Sequence, residues 1–196
     1  MHMEEHRLSE MNHELRLRLG RFRYEQFVQR LGWRLPAHPH PDPGEWDQYD
    51  TEHARYVLAI NRTGAIVGCS RLIPTTCPNL LEGVFSQTCK GAPPKHPAIW
   101  EMTRFTTRDP QLAMPLFWRS LKVASQAGAD AIVGVVNRTM ERYYRINGVH
   151  YERLGPPTLH QDEKLIAIKL SAHREDHRRA SAATPLSGGP PLQETA

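Results

Sequence analysis

Pro36, Pro39, Pro41 and Pro43 follow Gly32 within a dozen residues, and they divide the chain more sharply than any other stretch of it. A proline ring fixes its own φ, lacks the amide hydrogen that helices and sheets need, and disfavours helical backbone in the residue before it. No helix or central strand can run through residues 36–43. Upstream, Leu8, Met11, Leu15, Leu19 and Phe22 recur at steps of three and four, the spacing of one apolar stripe on an α-helix. The expectation is an amphipathic helix with Ser9 as its cap, running to about Leu31 and stopped by Gly32. Downstream lies an acidic loop that reaches Asp50 and should stay mobile until something binds.

Beyond that loop the pattern alternates. Tyr56 to Ile60 and Ala65 to Ile73 are strand-like runs separated by Asn61-Arg62-Thr63-Gly64, a hairpin sequence that should pair them antiparallel. A short helix is expected over Leu80 to Cys89, then a strand over Ile99 to Thr107. A helix should follow Pro110 and close at Gly128, and Ala131 to Val136 reads as a buried strand. Arg138 to Ile146 is helical in pattern, Gly148 ends it, and Leu165 to Leu170 supplies a last strand. From Ala172 the residues are Ser, Ala, Pro, Gly and charge without periodicity, which reads as a disordered tail over 172–196 behind one domain of residues 1–171. The order implies an α/β fold with a central mixed β-sheet and helices on both faces.

Several classes of protein fit poorly. No run of 18 apolar residues exists and no apolar segment follows a basic N-terminus, so neither a membrane span nor a secretory signal is expected, and the cytoplasm is the expected location. Cys69, Cys77 and Cys89 are odd in number and lack metal-ligand spacing, which argues for small buried apolar residues rather than disulfides or zinc. The formal charge of +4 does not come from one basic tract, which argues against nucleic acid. Residues 36–55 hold five acids against Arg55 alone, whereas residues 104–145 hold seven bases against three acids. A basic surface beside an acidic pocket suits an enzyme that docks an acidic protein while holding a cationic small molecule.

The residues able to carry such chemistry are few. Arg23 and Phe27 are four apart and share a helical face, Trp33 follows the helix end, and Asp47 and Asp50 lie in Glu45-Trp46-Asp47-Gln48-Tyr49-Asp50. Arg71 lies in Gly68-Cys69-Ser70-Arg71-Leu72-Ile73-Pro74-Thr75-Thr76, and Glu101 and Arg104 in Trp100-Glu101-Met102-Thr103-Arg104-Phe105. Singly, a helical Phe is usually core, an Arg usually solvated and a loop Asp usually part of a turn. Glu101 and Arg104 are three apart, so an ideal strand puts them on opposite faces and only a bulge would bring them together. An ion-pair network of Arg71, Glu101 and Arg104 with Asp47 and Asp50 is a purely structural alternative.

In order and spacing these eight positions resemble the acyl-homoserine lactone synthases, bacterial autoinducer synthases built on a fold similar to GCN5-related N-acetyltransferases. The resemblance spans roughly Arg21 to Pro157 and includes Gly148-Val149-His150 and Arg153-Leu154-Gly155-Pro156-Pro157. It implies that the strands at 99–107 and 131–136 part to admit a pantetheine arm, and that Arg23, Phe27, Trp33, Asp47, Asp50, Arg71 and Arg104 hold S-adenosylmethionine. Glu101, Arg104 and Asp47 would be catalytic, with Glu101 the base that frees the α-amine to attack a thioester, and backbone N–H groups near Thr103 to Phe105 would hold the oxyanion. No metal or redox cofactor is required. Met102, Thr103, Phe105, Leu116, Met140 and Tyr143 are candidates to line the acyl chain, with the Thr103 hydroxyl placed to bond an oxygen on it. Arg108-Asp109-Pro110-Gln111-Leu112-Ala113 lacks the glycines of a coenzyme A pyrophosphate loop, which favours acyl carrier protein, docked on Arg119, Lys122, Arg138, Arg142 and Arg145. The competing expectation is an N-acetyltransferase that uses acyl-coenzyme A on another small amine.

Overall fold

The computed structural model describes residues 1–35 and 39–183; Pro36 and the last part of the expected tail lie outside the described residues. One eight-stranded sheet runs in the order β1-β2-β3-β4-β5-β8-β6, with β7 also paired to β8. The expected hairpin is β2 (Arg55–Ile60) and β3 (Ile66–Pro74), antiparallel. The strand expected at Ile99 to Thr107 is β4 (Ile99–Thr107), and that at 131–136 is β5 (Ala131–Asn137). The last expected strand is β8 (Glu163–Ser171), flanked by the short β6 (Glu152–Arg153) and β7 (Thr158–His160).

The N-terminus departs from expectation. β1 (His2–Arg7) adds to the edge of the sheet beside β2, although its charged sequence has no apolar alternation: besides the backbone ladder, Glu5 pairs with Arg55 of β2 at 2.6 Å and Met3 packs against the core. The helix is therefore shorter than its apolar stripe implies. Ser9 sits in a 3-10 turn, and the cap is Asn12, whose side chain accepts the Leu15 N–H at 2.8 Å. Helix α1 (His13–Arg23) then widens into a π-helical segment, Tyr24–Arg30, before Gly32 stops it at φ 66°.

The described part of the acidic loop, residues 39–50, is packed against the fold. Glu45 N–H donates to the Gly20 carbonyl at 3.0 Å, and Trp46 and Tyr49 are buried in the core. The approach is possible because Gly20 and Gly44 face each other: a Cβ on Gly44 would lie 2.3 Å from the Gly20 carbonyl carbon. Ion pairs and apolar burial together hold a segment that composition alone marks as loose.

Helices cover both faces of the sheet. On one side α1 and the acidic loop bury Leu19, Phe22, Trp46 and Tyr49 against Tyr56, Leu58 and Ile73. On the other, α3 (Ala113–Gln126) buries Leu116, Phe117 and Leu121 against Val57, Leu72 and Met102, and Gly128 at φ 98° follows its end. Between β3 and β4, α2 (Leu80–Gly83) and a 3-10 turn at Ser86–Thr88 replace the single short helix expected over Leu80 to Cys89. Helix α4 (Arg138–Ile146) starts at Asn137, whose side chain accepts the Met140 N–H, and it is followed by Gly148 at φ 71°. The stretch beginning at Ala172 carries a further helix, α5 (Arg174–Ala183), where only a tail was expected. It is tied down by His177, which packs edge-on against Trp118 of α3 and is 2% exposed. No helix among the described residues is long and apolar enough to cross a membrane.

Two irregularities of β4 shape the site. It pairs parallel with β5 only from Ile99 to Glu101, opposite Ala131 to Val133, and then parts from it, as the resemblance implied. On its other edge, Cys69 pairs with Thr106 but Arg71 with Thr103, so β4 carries one extra residue. The bulge centres on Arg104, whose φ of 49° is the left-handed conformation uncommon for a residue with a side chain.

Candidate active site

The bulge turns Arg104 to the side of the sheet that carries Arg71, where α1 and the acidic loop pack. Its Nη2 lies 2.8 Å from Glu45 Oε1 and 2.7 Å from Asp47 Oδ2, and its Nε also reaches Glu45 at 3.1 Å. Arg71 donates Nη1 and Nη2 to the two Asp47 oxygens at 2.6 and 3.0 Å, and Nη1 also reaches Asp50 at 2.7 Å. Arg23 donates Nε to Glu45 at 2.6 Å and Nη1 to Asp50 at 2.9 Å. Tyr56 closes the circuit with hydrogen bonds to Arg23 and Asp50. Three guanidiniums thus meet three carboxylates in a buried, charge-balanced cluster.

Burial by itself would raise the carboxyls of Glu45, Asp47 and Asp50. The surrounding guanidiniums outweigh it and hold all three below the usual carboxylate range.

Glu101 stands apart from this network. Its oxygens accept the Leu80 N–H at 3.0 Å and the Leu81 N–H at 2.5 Å, at the start of α2. It is buried, and burial pushes its carboxyl up despite those two donors. Of the network expected to join Arg71, Glu101 and Arg104 with Asp47 and Asp50, the two arginines and the two aspartates are joined and Glu101 is left out: it is a fourth negative group with no ion pair among the described residues, though the Arg71 charge acts on it.

The aromatic pair lies at the rim. Phe27 and Trp33 stack at 4.8 Å between ring centroids, the Trp33 N–H donates to the Phe27 carbonyl, and the Arg104 guanidinium lies 5.6 Å from the Phe27 centroid. Phe27 is fully buried while Trp33 is 40% exposed, so this stack is where the cluster meets solvent. All eight positions of the signature therefore gather around one site.

The acyl-chain candidates divide between the two faces. Met102 and Leu116 are buried in the cluster beneath α3, with Phe105, Met140 and Tyr143 packed against it. Thr103 lies on the charged side instead, where its hydroxyl accepts Arg71 Nε–H at 3.0 Å. Of the basic candidates, Lys122, Arg138, Arg142 and Arg145 are exposed on α3 and α4, and Arg119 is half-buried.

Three participants escaped the sequence reading. Glu45, quoted only as part of the acidic stretch, bridges Arg23 and Arg104; its signal was its place among five acids in residues 36–55, a segment with a single base. Tyr56 was legible only as a strand residue. Cys69 donates its Sγ–H to the Arg104 carbonyl at 3.1 Å, on the bulge itself, and burial pushes its thiol up to about 12. Cys69, Cys77 and Cys89 are all free thiols.

A family model described as autoinducer synthase matches residues 7–180. An acyl-homoserine-lactone synthase from Pseudomonas chlororaphis is 75% identical over 196 residues, covering 100% of both chains. Among solved structures, TofI in a ternary complex with an inhibitor and MTA is 33% identical, with a TM-score of 0.79 over 88% of this chain and 92% of that one. MesI, a CoA-dependent acyl-homoserine lactone synthase, is 30% identical with a TM-score of 0.78, over 96% of this chain and 100% of its own. The fold alone extends to an acyl-CoA N-acyltransferase from Pseudomonas aeruginosa, 15% identical with a TM-score of 0.61, over 87% of this chain and 99% of that one.

Proposed function

This chain belongs to the autoinducer synthase family and is an acyltransferase with the GCN5-related N-acetyltransferase type of fold, and we propose that it joins an acyl chain from acyl carrier protein to S-adenosylmethionine. The observation that carries the reading is the bulge at Arg104. Within one turn of backbone it brings the charged cluster to the point where β4 leaves β5, so an amine substrate and a thioester can meet there.

The parts divide the work. Asp47 and Asp50 are ionised, and with the exposed face of Trp33 they suit a sulfonium and an amine. Arg23, Arg71 and Arg104 hold those carboxylates in place and offer donors to the substrate's own carboxylate. Phe27 backs Trp33. Glu101 is the negative group left over once the cluster is balanced, and its raised carboxyl suits a base working near neutral pH.

The proton leaves the α-amine for Glu101, the amine nitrogen forms a bond to the thioester carbonyl carbon, and the oxyanion is held by N–H groups of the bulge near Thr103 to Phe105. Collapse expels the pantetheine thiolate, which takes up a proton, and leaves an amide. The methionine carboxylate then forms a bond to its own γ-carbon as the carbon–sulfur bond breaks, which yields the lactone and methylthioadenosine. This second step needs orientation more than acid or base.

The chain's aliphatic part would lie beneath α3, because the opposite side at this level is charged. Met102, Phe105 and Leu116 would line it, with Met140 and Tyr143 beyond. Thr103, on the charged side, belongs instead with Arg71.

Asp109 favours the carrier protein as donor. Its carboxylate accepts the Gln111 N–H at the entry to α3, so a negative group already occupies the place where a pyrophosphate would be cradled. The exposed bases of α3 and α4 suit an acidic partner. The likeness to MesI supports a second reading, with a coenzyme A thioester as donor.

The test is to incubate the purified protein with S-adenosylmethionine and a panel of acyl-carrier-protein and acyl-coenzyme A thioesters and to identify products by mass spectrometry. An N-acyl homoserine lactone with methylthioadenosine is expected. Thiol release with some other amine while S-adenosylmethionine stays untouched would instead establish a plain N-acetyltransferase.

A further inference from the structure

Of three buried polar side-chain atoms with no hydrogen-bond partner among the described residues, Arg23 Nη2 and Trp46 Nε1 belong to residues of the charged half; the third, Ser70 Oγ, does not. Ser70 is fully buried in the middle of β3. It alternates with Arg71, which faces the charged cluster, so its own side chain faces α3. Its partner across β2 is Val57, its neighbour on the same side is Leu72, and a Cβ on Gly68 two residues earlier would lie 3.2 Å from Leu116 of α3. These surroundings are apolar. The one hydroxyl of α3 buried on this side, Ser120, is already donated to the Leu116 carbonyl at 2.8 Å.

A buried hydroxyl without a partner is unfavourable, and its persistence calls for an explanation. Its place in the sheet supplies one. Across from Ser70, β4 carries its extra residue: Cys69 pairs with Thr106 and Arg71 with Thr103, so Ser70 is level with Arg104 and Phe105. A thioester held by the bulge and an acyl chain turned under α3 would pass Ser70 within the chain's first few carbons.

We propose that Ser70 is a specificity-determining residue whose hydroxyl bonds an oxygen on the acyl chain close to the thioester, donating to a 3-oxo group or pairing with a 3-hydroxyl. This rests on the acyl-transfer reading above. A hydroxyl both donates and accepts, so it serves either substituent. Beside an unsubstituted chain it stays unpaired, which penalises that chain relative to its oxygenated counterpart. The sheet thus assigns to Ser70 the role expected of Thr103, whose hydroxyl lies on the other side and is engaged by Arg71.

The experiment compares kcat/KM for donors of one chain length bearing no substituent, a 3-oxo group or a 3-hydroxyl, on whichever carrier the wild-type enzyme accepts. Ser70→Ala should lower the ratio of oxygenated to unsubstituted kcat/KM about tenfold. Ser70→Cys, which keeps the side chain's size but donates weakly, should shift the ratio in the same direction and guards against a folding defect in the alanine variant. A ratio unchanged in both variants, or an equal loss on all donors, overturns the role of Ser70 and leaves the enzyme's activity standing. Absence of lactone from the wild type on every donor overturns the acyl-transfer reading and this one with it.

Discussion

Glu45 holds Arg104 through two nitrogens, Nε at 3.1 Å and Nη2 at 2.8 Å, while the Arg104 backbone sits in the left-handed region on the β4 bulge. A strand irregularity aims the guanidinium and a distant loop catches it. The close approach of Gly20 and Gly44 leaves room for the loop to reach this point.

Glu45→Gln keeps the shape and removes the charge, which leaves Arg23 and Arg104 with one buried positive charge in excess. Breaking one partner out of such a cluster typically costs about 3–5 kcal/mol. Affinity for S-adenosylmethionine measured by calorimetry should fall by more than about tenfold, with a lower melting temperature. Wild-type affinity in a correctly folded variant would mean that Arg104 does not need Glu45.

Glu101→Gln should separate binding from chemistry. The carboxylate lies outside the arginine cluster, so S-adenosylmethionine affinity should change little, whereas loss of a general base typically lowers turnover by about 10²- to 10⁴-fold. Because burial raises the folded-state value above 4.5, wild-type turnover should climb with pH through that raised value and then level off. The variant should lack this limb. Turnover at the wild-type level would remove Glu101 from the mechanism.

The sequence is informative where local rules decide the outcome. Strand β4 and helix α4 coincide with the expected ranges, and Gly148 follows α4 as its pattern implied. The eight-residue signature was legible only through its family resemblance, since spacing along a chain does not say that Asp47 will meet Arg71. β1 was invisible because an edge strand held by its backbone ladder, one Glu5–Arg55 ion pair and the packing of Met3 needs no apolar alternation. The packing of the acidic loop was equally hidden, because a two-glycine contact between residues 20 and 44 has no local signal. The face occupied by Thr103 depends on pairing with β3 across a bulge, which is a property of two strands and not of one.

Helix α5 makes stability depend on pH through His177. Its Nε2–H donates to the Ser171 carbonyl at 2.9 Å and its Nδ1 accepts the His150 N–H at 3.0 Å, so the ring must be neutral. Burial lowers its folded-state value below 6.5, helped by nearby His150 and opposed by the Ser171 carbonyl and Asp176. A depressed histidine contributes stability that is fully present above 6.5 and lost as pH falls through the folded value. The melting temperature should therefore decline as pH falls below 6.5, above the range where the cluster carboxylates titrate. His177→Gln should melt lower than wild type near neutral pH and lose less on acidification. An identical decline in both proteins would assign the dependence elsewhere.

The basic face of α4 offers a test of the donor that does not touch the chemistry. Arg138 and Arg142 are exposed, one helical turn apart, and neither belongs to the arginine cluster. Reversing both to glutamate would repel an acidic carrier protein while leaving S-adenosylmethionine bound as before. KM for the acylated carrier protein should rise more than about tenfold at low ionic strength, and the difference from wild type should shrink as salt screens the encounter. KM for S-adenosylmethionine should not move. If a coenzyme A thioester is also turned over, its KM decides between two roles for these arginines: an unchanged value means they meet a protein surface, and a parallel rise means they meet the phosphates of the smaller donor.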